Sequence, residues 1–176
     1  KVFINEGVKV YLAKGIVSTP MISLGAFERK SAMGVVLTAS HNPPSYNGYK
    51  LKGIHGGPLI PSKVQEVEDL IPEQHGLDLA SIDLSKAERD GLLEYVDLET
   101  MYVKHVESNF DLQAIRSSGL RLGYDAMYGA GFRVMPRILP EVTLLHCEHN
   151  PSFHGQAPEP IHKNLIEFSE LIKAEG

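Results

Sequence analysis

Short apolar runs alternate with turn residues along the first two thirds of the chain, and their spacing predicts alternating helices and strands. The predicted elements are a helix end before Gly7, a strand at residues 8–12, a helix from Thr19 to about Arg29, a strand at residues 34–39, a helix opened by a capping box of Ser62 and Gln65, and a helix from Asp97 through Arg116 to a C-cap at Gly119. Residues 72–91 are polar and predict a loop.

The last third of the chain has a different rhythm. Strands are predicted at residues 120–125 and 142–147, a glycine turn at residues 129–131, helices at residues 132–139 and 164–174, and a proline-rich loop at residues 150–160. Two strands joined through a helix make a βαβ unit with parallel pairing. Because two strands are too few for an independent sheet, we expect a domain boundary near Gly119 and an incomplete second domain.

The strand predicted at residues 34–39 is followed by two turn signals. Its continuous β-branched character is typical of a strand buried in a parallel sheet. The pair Asn47-Gly48 that follows suits the positive φ values of a tight turn, and residues 55–58 give a second turn signal.

Composition limits the classes of protein that fit. The 176 residues predict one or two domains, and 43% hydrophobic with 22% charged residues is typical of a globular protein. The net charge of −5 provides no basic field for nucleic acid or an anionic membrane, so neither is an expected partner. No apolar run approaches the roughly 18 residues of a membrane span. The single cysteine, Cys147, excludes an intrachain disulfide and fits a reducing compartment, so we expect a cytoplasmic protein.

The clearest chemical signal lies where the strand at residues 34–39 ends. Reactive groups of α/β proteins collect at the carboxyl ends of strands, and here Ser40 offers a hydroxyl with the His41 imidazole beside it. Asn42 before Pro43 holds the chain extended and makes the loop stiff. By composition alone, such a stretch is more typical of a turn than of a catalytic loop.

The longer pattern favours catalysis. Thr-Ala-Ser-His-Asn-Pro, followed by Asn-Gly-Tyr-Lys ending at Lys50, resembles the phosphoserine signature of the α-D-phosphohexomutases, the phosphoglucomutase/phosphomannomutase family. The stretches that begin at Gly15, Tyr124, Phe153 and Pro158 also resemble that family. The resemblance implies an α/β fold: a three-layer α/β/α mixed-sheet first domain at residues 1–118, lacking its first strand and motif, and the start of a truncated second α/β domain at residues 119–176.

The resemblance also implies a phosphoryl relay between hexose 1-phosphate and hexose 6-phosphate, glucose or mannose, through a hexose 1,6-bisphosphate. Ser40 matches the family's phosphoserine, His41 a histidine with an acid/base or orienting role, and Lys50 a lysine that stabilises the phosphate charge. Phosphoserine is close to a dianion at neutral pH, so it needs cations around it. Magnesium is expected to bind a phosphate oxygen on Ser40, with its other ligands outside this sequence.

Three family loops have no match here: the metal loop Asp-Gly-Asp-x-Asp-Arg, the sugar loop Gly-Glu-x-Ser and the C-terminal phosphate loop. We therefore expect this chain to be inactive alone and to begin at Lys1 after one family motif. Two alternatives stay open. One is a phosphoglucosamine mutase, which Thr38 weakly disfavours because serine is usual there. The other is a noncatalytic fragment that acts only in association, with self-association through uncovered surfaces.

Other candidate residues have ordinary structural interpretations. His146, Cys147, Glu148 and His149 could supply metal ligands, but alternate side chains of an extended segment point in opposite directions, which favours a strand end with solvated histidines. The glycines at 129 and 131 favour a tight turn over a phosphate cradle because the third glycine of a dinucleotide motif is missing. Asp125 is either a catalytic carboxylate or the cap of the following turn.

Overall fold

Helices and strands are interspersed along the chain, with α helices and strands in both its first two thirds and its last third. The structure is a computed structural model that describes residues 1–73 and 76–175; the predicted second domain ends at Gly176, which lies outside them, as do Gln74 and His75 of the predicted loop. The helices are α1 (Val2–Asn5), α2 (Thr19–Glu28), α3 (Pro61–Glu68), α4 (Leu84–Arg89), α5 (Leu98–Asn109), α6 (Leu112–Arg116), α7 (Met135–Ile138) and α8 (Ile166–Glu175). The strands are β1 (Val10–Ala13), β2 (Gly34–Leu37), β3 (Tyr49–Lys52), β4 (Leu93–Val96), β5 (Gly123–Asp125) and β6 (Thr143–Leu145), and 3₁₀ turns cover Phe153–Gly155 and His162–Asn164. The α/β class is confirmed.

The chain forms two compact units, each built from two segments. The first contains Lys1–Ile16 and Leu59–Leu98, and the second contains Val17–Pro58 and Glu99–Gly176. The domain boundary expected between Ser118 and Gly119 stays a prediction.

The first unit is organised by a parallel pair of strands that the sequence pattern only half predicts. β1 pairs with β4 in parallel, with Val10 opposite Leu93. The pattern predicts neither β4 nor α4, which lies in the segment expected to be a loop. The α4 helix begins after Asp83, whose carboxylate accepts the backbone N–H groups of Ser85 and Lys86. Ala87 of α4 is buried, so this polar segment still contributes one apolar side chain to the core. Leu93 and Val96, at the two ends of β4, are also buried.

The capping box expected at Ser62 and Gln65 does not form. The N-cap of α3 is Ile60, and Pro61 occupies the first helical position, which its fixed φ favours. Ser62 is therefore already inside the helix and not at its N-cap, and Gln65 donates instead to Asp69.

The second unit begins with a helix on a hairpin. β2 pairs with β3, and the pairing is antiparallel, so the expected parallel pairing of this segment is wrong. Burial alternates along β2 because one face meets α2 and the other faces solvent. Gly34 permits the close approach: a Cβ there would lie 3.2 Å from that of Ala26 and 3.1 Å from that of Lys52. Met21 and Val36 form the centre of this packing.

Gly48, at the end of the hairpin loop, is required because a neighbouring carbonyl leaves no room for a side chain, and not because its backbone is left-handed. Asn47 and Gly48 do not take the positive φ values expected of them. A Cβ at Gly48 would instead lie 2.7 Å from the carbonyl oxygen of Thr38, whose amide donates to the Gly48 carbonyl at 3.0 Å. The turn at residues 55–58 is confirmed, with Gly56 at φ +75° and its amide bonded to Gly53.

The βαβ expectation for the last third is confirmed. β5 and β6 pair in parallel, with Gly123 opposite Thr143, and α7 lies between them in sequence. Both strands and α7 are shorter than the apolar pattern indicates. The long helix predicted from Asp97 is divided into α5 and α6, because Asp111 caps a new helix by accepting the amide of Ala114.

None of the helices in the described part of the chain is long and apolar enough to cross a membrane.

Candidate active site

Ser40 lies near the start of the loop, residues 38–48, that joins β2 to β3. Its φ is +58°, a left-handed conformation that costs a non-glycine residue about 1 kcal/mol. Local hydrogen bonds hold it there: the Ser40 amide donates to Thr38 Oγ1 at 2.9 Å, and the amide and side chain of Asn42 both donate to the Ala39 carbonyl at 3.0 Å. The loop therefore presents an exposed serine on a backbone whose shape is fixed from both sides.

Within residues 1–73 and 76–175, the side-chain partner of the serine hydroxyl is His41. Ser40 Oγ lies 3.3 Å from His41 Nδ1, and both residues are exposed. In the tautomer protonated on Nε2, the hydroxyl donates this bond and the imidazole accepts it. The pair can therefore move a proton between Ser40 Oγ and His41 while leaving the serine open to an incoming group.

Lys50 lies on β3, opposite Val36 of β2, two strand positions before the buried Lys52. The Lys50 side chain is exposed, and its ammonium has no hydrogen bond or ion pair within residues 1–73 and 76–175. The structure thus brings Ser40 and His41 into contact. Lys50 lies on β3 of the same hairpin, and its ammonium group has no partner among the described residues.

The described residues contain no group of three or more His, Cys, Asp or Glu side chains that could hold a metal ion. A magnesium site with several protein ligands therefore does not fit this part of the chain.

A second polar cluster forms where β5 and β6 end. Asp125 Oδ1 accepts the Met127 amide at 2.8 Å, so this carboxylate caps the turn, and it also lies 3.0 Å from His146 Nδ1. His146 Nε2 lies 3.3 Å from Glu167 Oε2 of α8. With its side chain 18% exposed, His146 is not the solvated histidine expected there, whereas His149 is exposed. The reason is that the segment turns inward after β6 and does not continue as a strand.

The glycine turn between β5 and α7 serves packing. A Cβ at Gly131 would lie 2.2 Å from the hydroxyl oxygen of Tyr124, and one at Gly129 would lie 3.0 Å from the Ala126 carbonyl. This agrees with the interpretation of the segment as a tight turn.

The groups around Asp125 have shifted proton affinities. Burial raises the pKa of Tyr124, and the nearby Cys147 and Asp125 raise it further. Burial also raises the pKa of Tyr128, with added repulsion from Glu148, Glu167 and Asp125. The pKa of Cys147 is raised by burial first, and by the Asp125 and Glu148 charges, against lowering hydrogen bonds from backbone groups. Negative potential is therefore a shared property of this end of the β5–β6 pair.

Sequence reasoning missed the Asp125–His146–Glu167 contact and the backbone strain. Five non-glycine residues near this cluster have positive φ: Met127, Tyr128, His146, Phe153 and His154. Residue type gives no hint of that, because left-handed backbone is expected at glycine and asparagine. The sequence signal that could have indicated this contact is position: Asp125 and His146 lie at the carboxyl ends of two strands that pair in parallel.

Family models match most of the chain. The model described as phosphoglucomutase/phosphomannomutase, alpha/beta/alpha domain I, matches residues 1–76, and that for alpha/beta/alpha domain II of the same family matches residues 100–176.

Individual proteins agree with the family models. A probable phosphoglucosamine mutase of Methanopyrus kandleri is 32% identical over 91% of this chain and 34% of its own length. A phosphoglucomutase/phosphomannomutase of Thermococcus kodakarensis is 31% identical over 92% of this chain and 35% of its own length. A crystal structure described as a phosphomannomutase from Thermus thermophilus aligns with a TM-score of 0.77 and 36% identity, over 94% of this chain and 37% of that one. The chain spans about a third of the length of the curated relatives it matches.

Proposed function

Because this chain belongs to the phosphoglucomutase/phosphomannomutase family, we propose that Ser40 carries the phosphoryl group by which the whole protein interconverts hexose 1-phosphate and hexose 6-phosphate. The observation that carries the proposal is the exposed Ser40 hydroxyl, held on a left-handed backbone 3.3 Å from the His41 imidazole. The names of the relatives support the reaction class.

The relay has two half-reactions. In the first, the bond from Ser40 Oγ to phosphorus breaks while a free sugar hydroxyl forms a new bond to the same phosphorus, giving a hexose 1,6-bisphosphate. In the second, Ser40 Oγ attacks the other phosphate, and the bond from that phosphorus to the sugar oxygen breaks. The serine is phosphorylated again, and the phosphate on the sugar has changed position.

His41 handles the serine proton in this scheme. When Ser40 Oγ leaves phosphorus it needs a proton, and when it attacks it must lose one; His41 Nδ1 lies within hydrogen-bond reach for both. Lys50 supplies positive charge to the phosphoserine dianion, and its lack of a partner within the described part of the hairpin leaves it available for that role. The transition state is loose, so charge placement is the main contribution a protein can make.

The other expected components belong to the same proposal. Of this chain's residues, phospho-Ser40 would hold magnesium in the whole protein, where the metal would supply neutralisation of phosphate charge. A hexose 1,6-bisphosphate is the proposed intermediate and activator. A cytoplasmic location stays part of the proposal.

The sugar is open between hexose and glucosamine phosphates, since relatives at similar identity carry both names. The structure gives a reason why Thr38 does not separate them. Its Oγ1 accepts the Ser40 amide, and a serine hydroxyl at the same position could accept that bond equally well.

An activity panel on the whole protein tests the proposal. Glucose 1-phosphate, mannose 1-phosphate and glucosamine 1-phosphate are supplied with magnesium and a trace of the matching 1,6-bisphosphate. We expect turnover of at least one sugar and its loss in Ser40→Ala, with Ser45→Ala in the same loop as the matched control. Full activity in Ser40→Ala would overturn the role of Ser40, and no turnover of any sugar would favour a noncatalytic protein.

A further inference from the structure

A cavity of about 470 Å³ opens beside the cluster at the ends of β5 and β6. It shares no residue with the hairpin loop that holds Ser40, and the proposed relay does not use it. We propose that this cavity binds a small organic cation through its primary ammonium group.

Aromatic rings form one side of the cavity. The Tyr128 ring lies 4.8 Å from that of His146 and 5.0 Å from that of His154, and Phe153 also lines the space. All four of these residues have left-handed backbone, which turns their side chains away from the directions an extended chain would give them. Such strain is retained where surrounding contacts fix it, and it is concentrated at binding sites. The ring faces of Tyr128 and Phe153 are of the kind that attract cations.

Two carboxylates also line the cavity. Glu167 and Glu170 stand three residues apart on α8 and therefore share one face of that helix. Glu167 is held against His146, but the Glu170 carboxylate has no hydrogen bond or ion pair among residues 1–73 and 76–175, so it can accept bonds from a ligand. An ammonium group has three N–H donors for such acceptors.

A buried, half-satisfied carboxylate adds to this charge. The Asp125 side chain does not line the cavity, but its Oδ1 lies 3.0 Å from Nδ1 of the lining residue His146. It is 4% exposed, and its Oδ2 is buried with no hydrogen-bond partner among the described residues. Burial first, and then the charges of Glu148, Glu167 and Asp125, raise the pKa of the Tyr128 phenol, which lines the cavity.

The charges also decide against other ligand classes. An anion would have to approach Glu167 and Glu170, and the exposed Lys163 is the one lysine or arginine among the residues that line the cavity. A metal ion needs a ligand set that the described residues do not assemble. An ammonium ion needs neither a positively charged site nor a metal-ligand set, because carboxylates bind it by hydrogen bonds and aromatic ring faces attract its charge.

Three probes with the same cyclohexyl ring and different charge test the proposal on the whole protein: cyclohexylammonium, cyclohexanol and cyclohexanecarboxylate. Saturation-transfer NMR detects binding, and a titration gives the dissociation constant. We expect cyclohexylammonium to bind at least about fivefold more tightly than cyclohexanol, the factor that one exposed ion pair of about 1 kcal/mol provides, and to weaken as salt is added. Cyclohexanecarboxylate should bind least. Equal binding of all three, tightest binding of the carboxylate, or no detectable binding of cyclohexylammonium would overturn the proposal.

Two variants with opposite expected signs locate the site. Glu170→Gln should weaken cyclohexylammonium binding and Lys163→Gln should strengthen it, each by about two- to fivefold, because both change one exposed charge at the cavity and leave its shape. Glu107→Gln on α5 is the matched control for charge and should have no effect. Because all three side chains are exposed, circular dichroism should show unchanged folding. A shift of the same sign in Glu170→Gln and Lys163→Gln would exclude this cavity as the binding site.

Discussion

Ser40 holds a backbone conformation that side-chain-bearing residues rarely adopt, and three local hydrogen bonds keep it there. Such a residue costs the fold some stability, which is typical of functional loops. The motif around Ser40 predicts its exposure and its neighbour His41. It does not predict the left-handed φ, because nothing in the residue type of a serine indicates that conformation.

The strain at Ser40 can be measured with two substitutions. Ser40→Gly should raise the free energy of unfolding relative to Ser40→Ala by about 1 kcal/mol, because glycine takes positive φ without the Cβ clash that alanine keeps. Both variants lose the same hydroxyl, so its hydrogen bond cancels in the comparison. Urea denaturation followed by circular dichroism gives both values, and an alanine variant as stable as the glycine variant would contradict the strain.

The Cys147 thiol tests the negative potential at the ends of β5 and β6. Burial, Asp125 and Glu148 raise its pKa, so the midpoint of its alkylation-rate profile against pH should lie higher in the folded chain than in urea. By linkage, this group's contribution to stability is complete below the unfolded thiol pKa and is lost as pH rises through the folded one. Glu148→Gln should lower the folded midpoint. A folded midpoint at or below the unfolded one would refute the direction of the shift.

At the scale of the element, the hairpin of β2 and β3 decides how Ser40 is presented. The apolar run at residues 34–39 predicts the strand, but not its partner, since the pairing direction depends on β3, which is four residues long and half polar. Similarly, the sequence pattern does not predict β4 or α4. β4 is stabilised by pairing with β1, and α4 by burial of Ala87 in the core, and neither depends on a local sequence preference.

Gly48 ties the far end of the hairpin loop to its start. Gly48→Ala should destabilise the chain by about 1–3 kcal/mol, because the new Cβ would meet the Thr38 carbonyl at 2.7 Å and backbone must move. Gly57→Ala is the matched control: its Cβ would meet nothing within 4 Å, so a change below about 0.5 kcal/mol is expected. Thermal unfolding compares the two, and equal effects would show that the Thr38–Gly48 contact is not tight.

At the scale of the whole molecule, the chain accounts for about a third of the length of its relatives and carries the serine of the proposed relay without a metal cluster in its described part. The family and its α/β class could be predicted from the sequence because short motifs preserve chemistry. The division into two discontinuous units could not, since contacts between distant segments leave no local pattern.

The 176-residue chain alone should show no turnover of glucose 1-phosphate when supplied with glucose 1,6-bisphosphate and magnesium. A loose transition state needs positive charge on several sides, and Lys50 is the one cation we assign to it here. A coupled assay for glucose 6-phosphate measures this, with the Ser40→Ala chain as background. Turnover at an enzyme-like rate would show that the described residues suffice.

The most direct test of the central claim, that Ser40 accepts the phosphoryl group, is intact-mass spectrometry of the whole protein after incubation with a hexose 1,6-bisphosphate. We expect one added phosphoryl group, located at Ser40 by peptide mapping, present in Ser45→Ala and absent from Ser40→Ala. An added phosphoryl group that persists in Ser40→Ala would contradict the account.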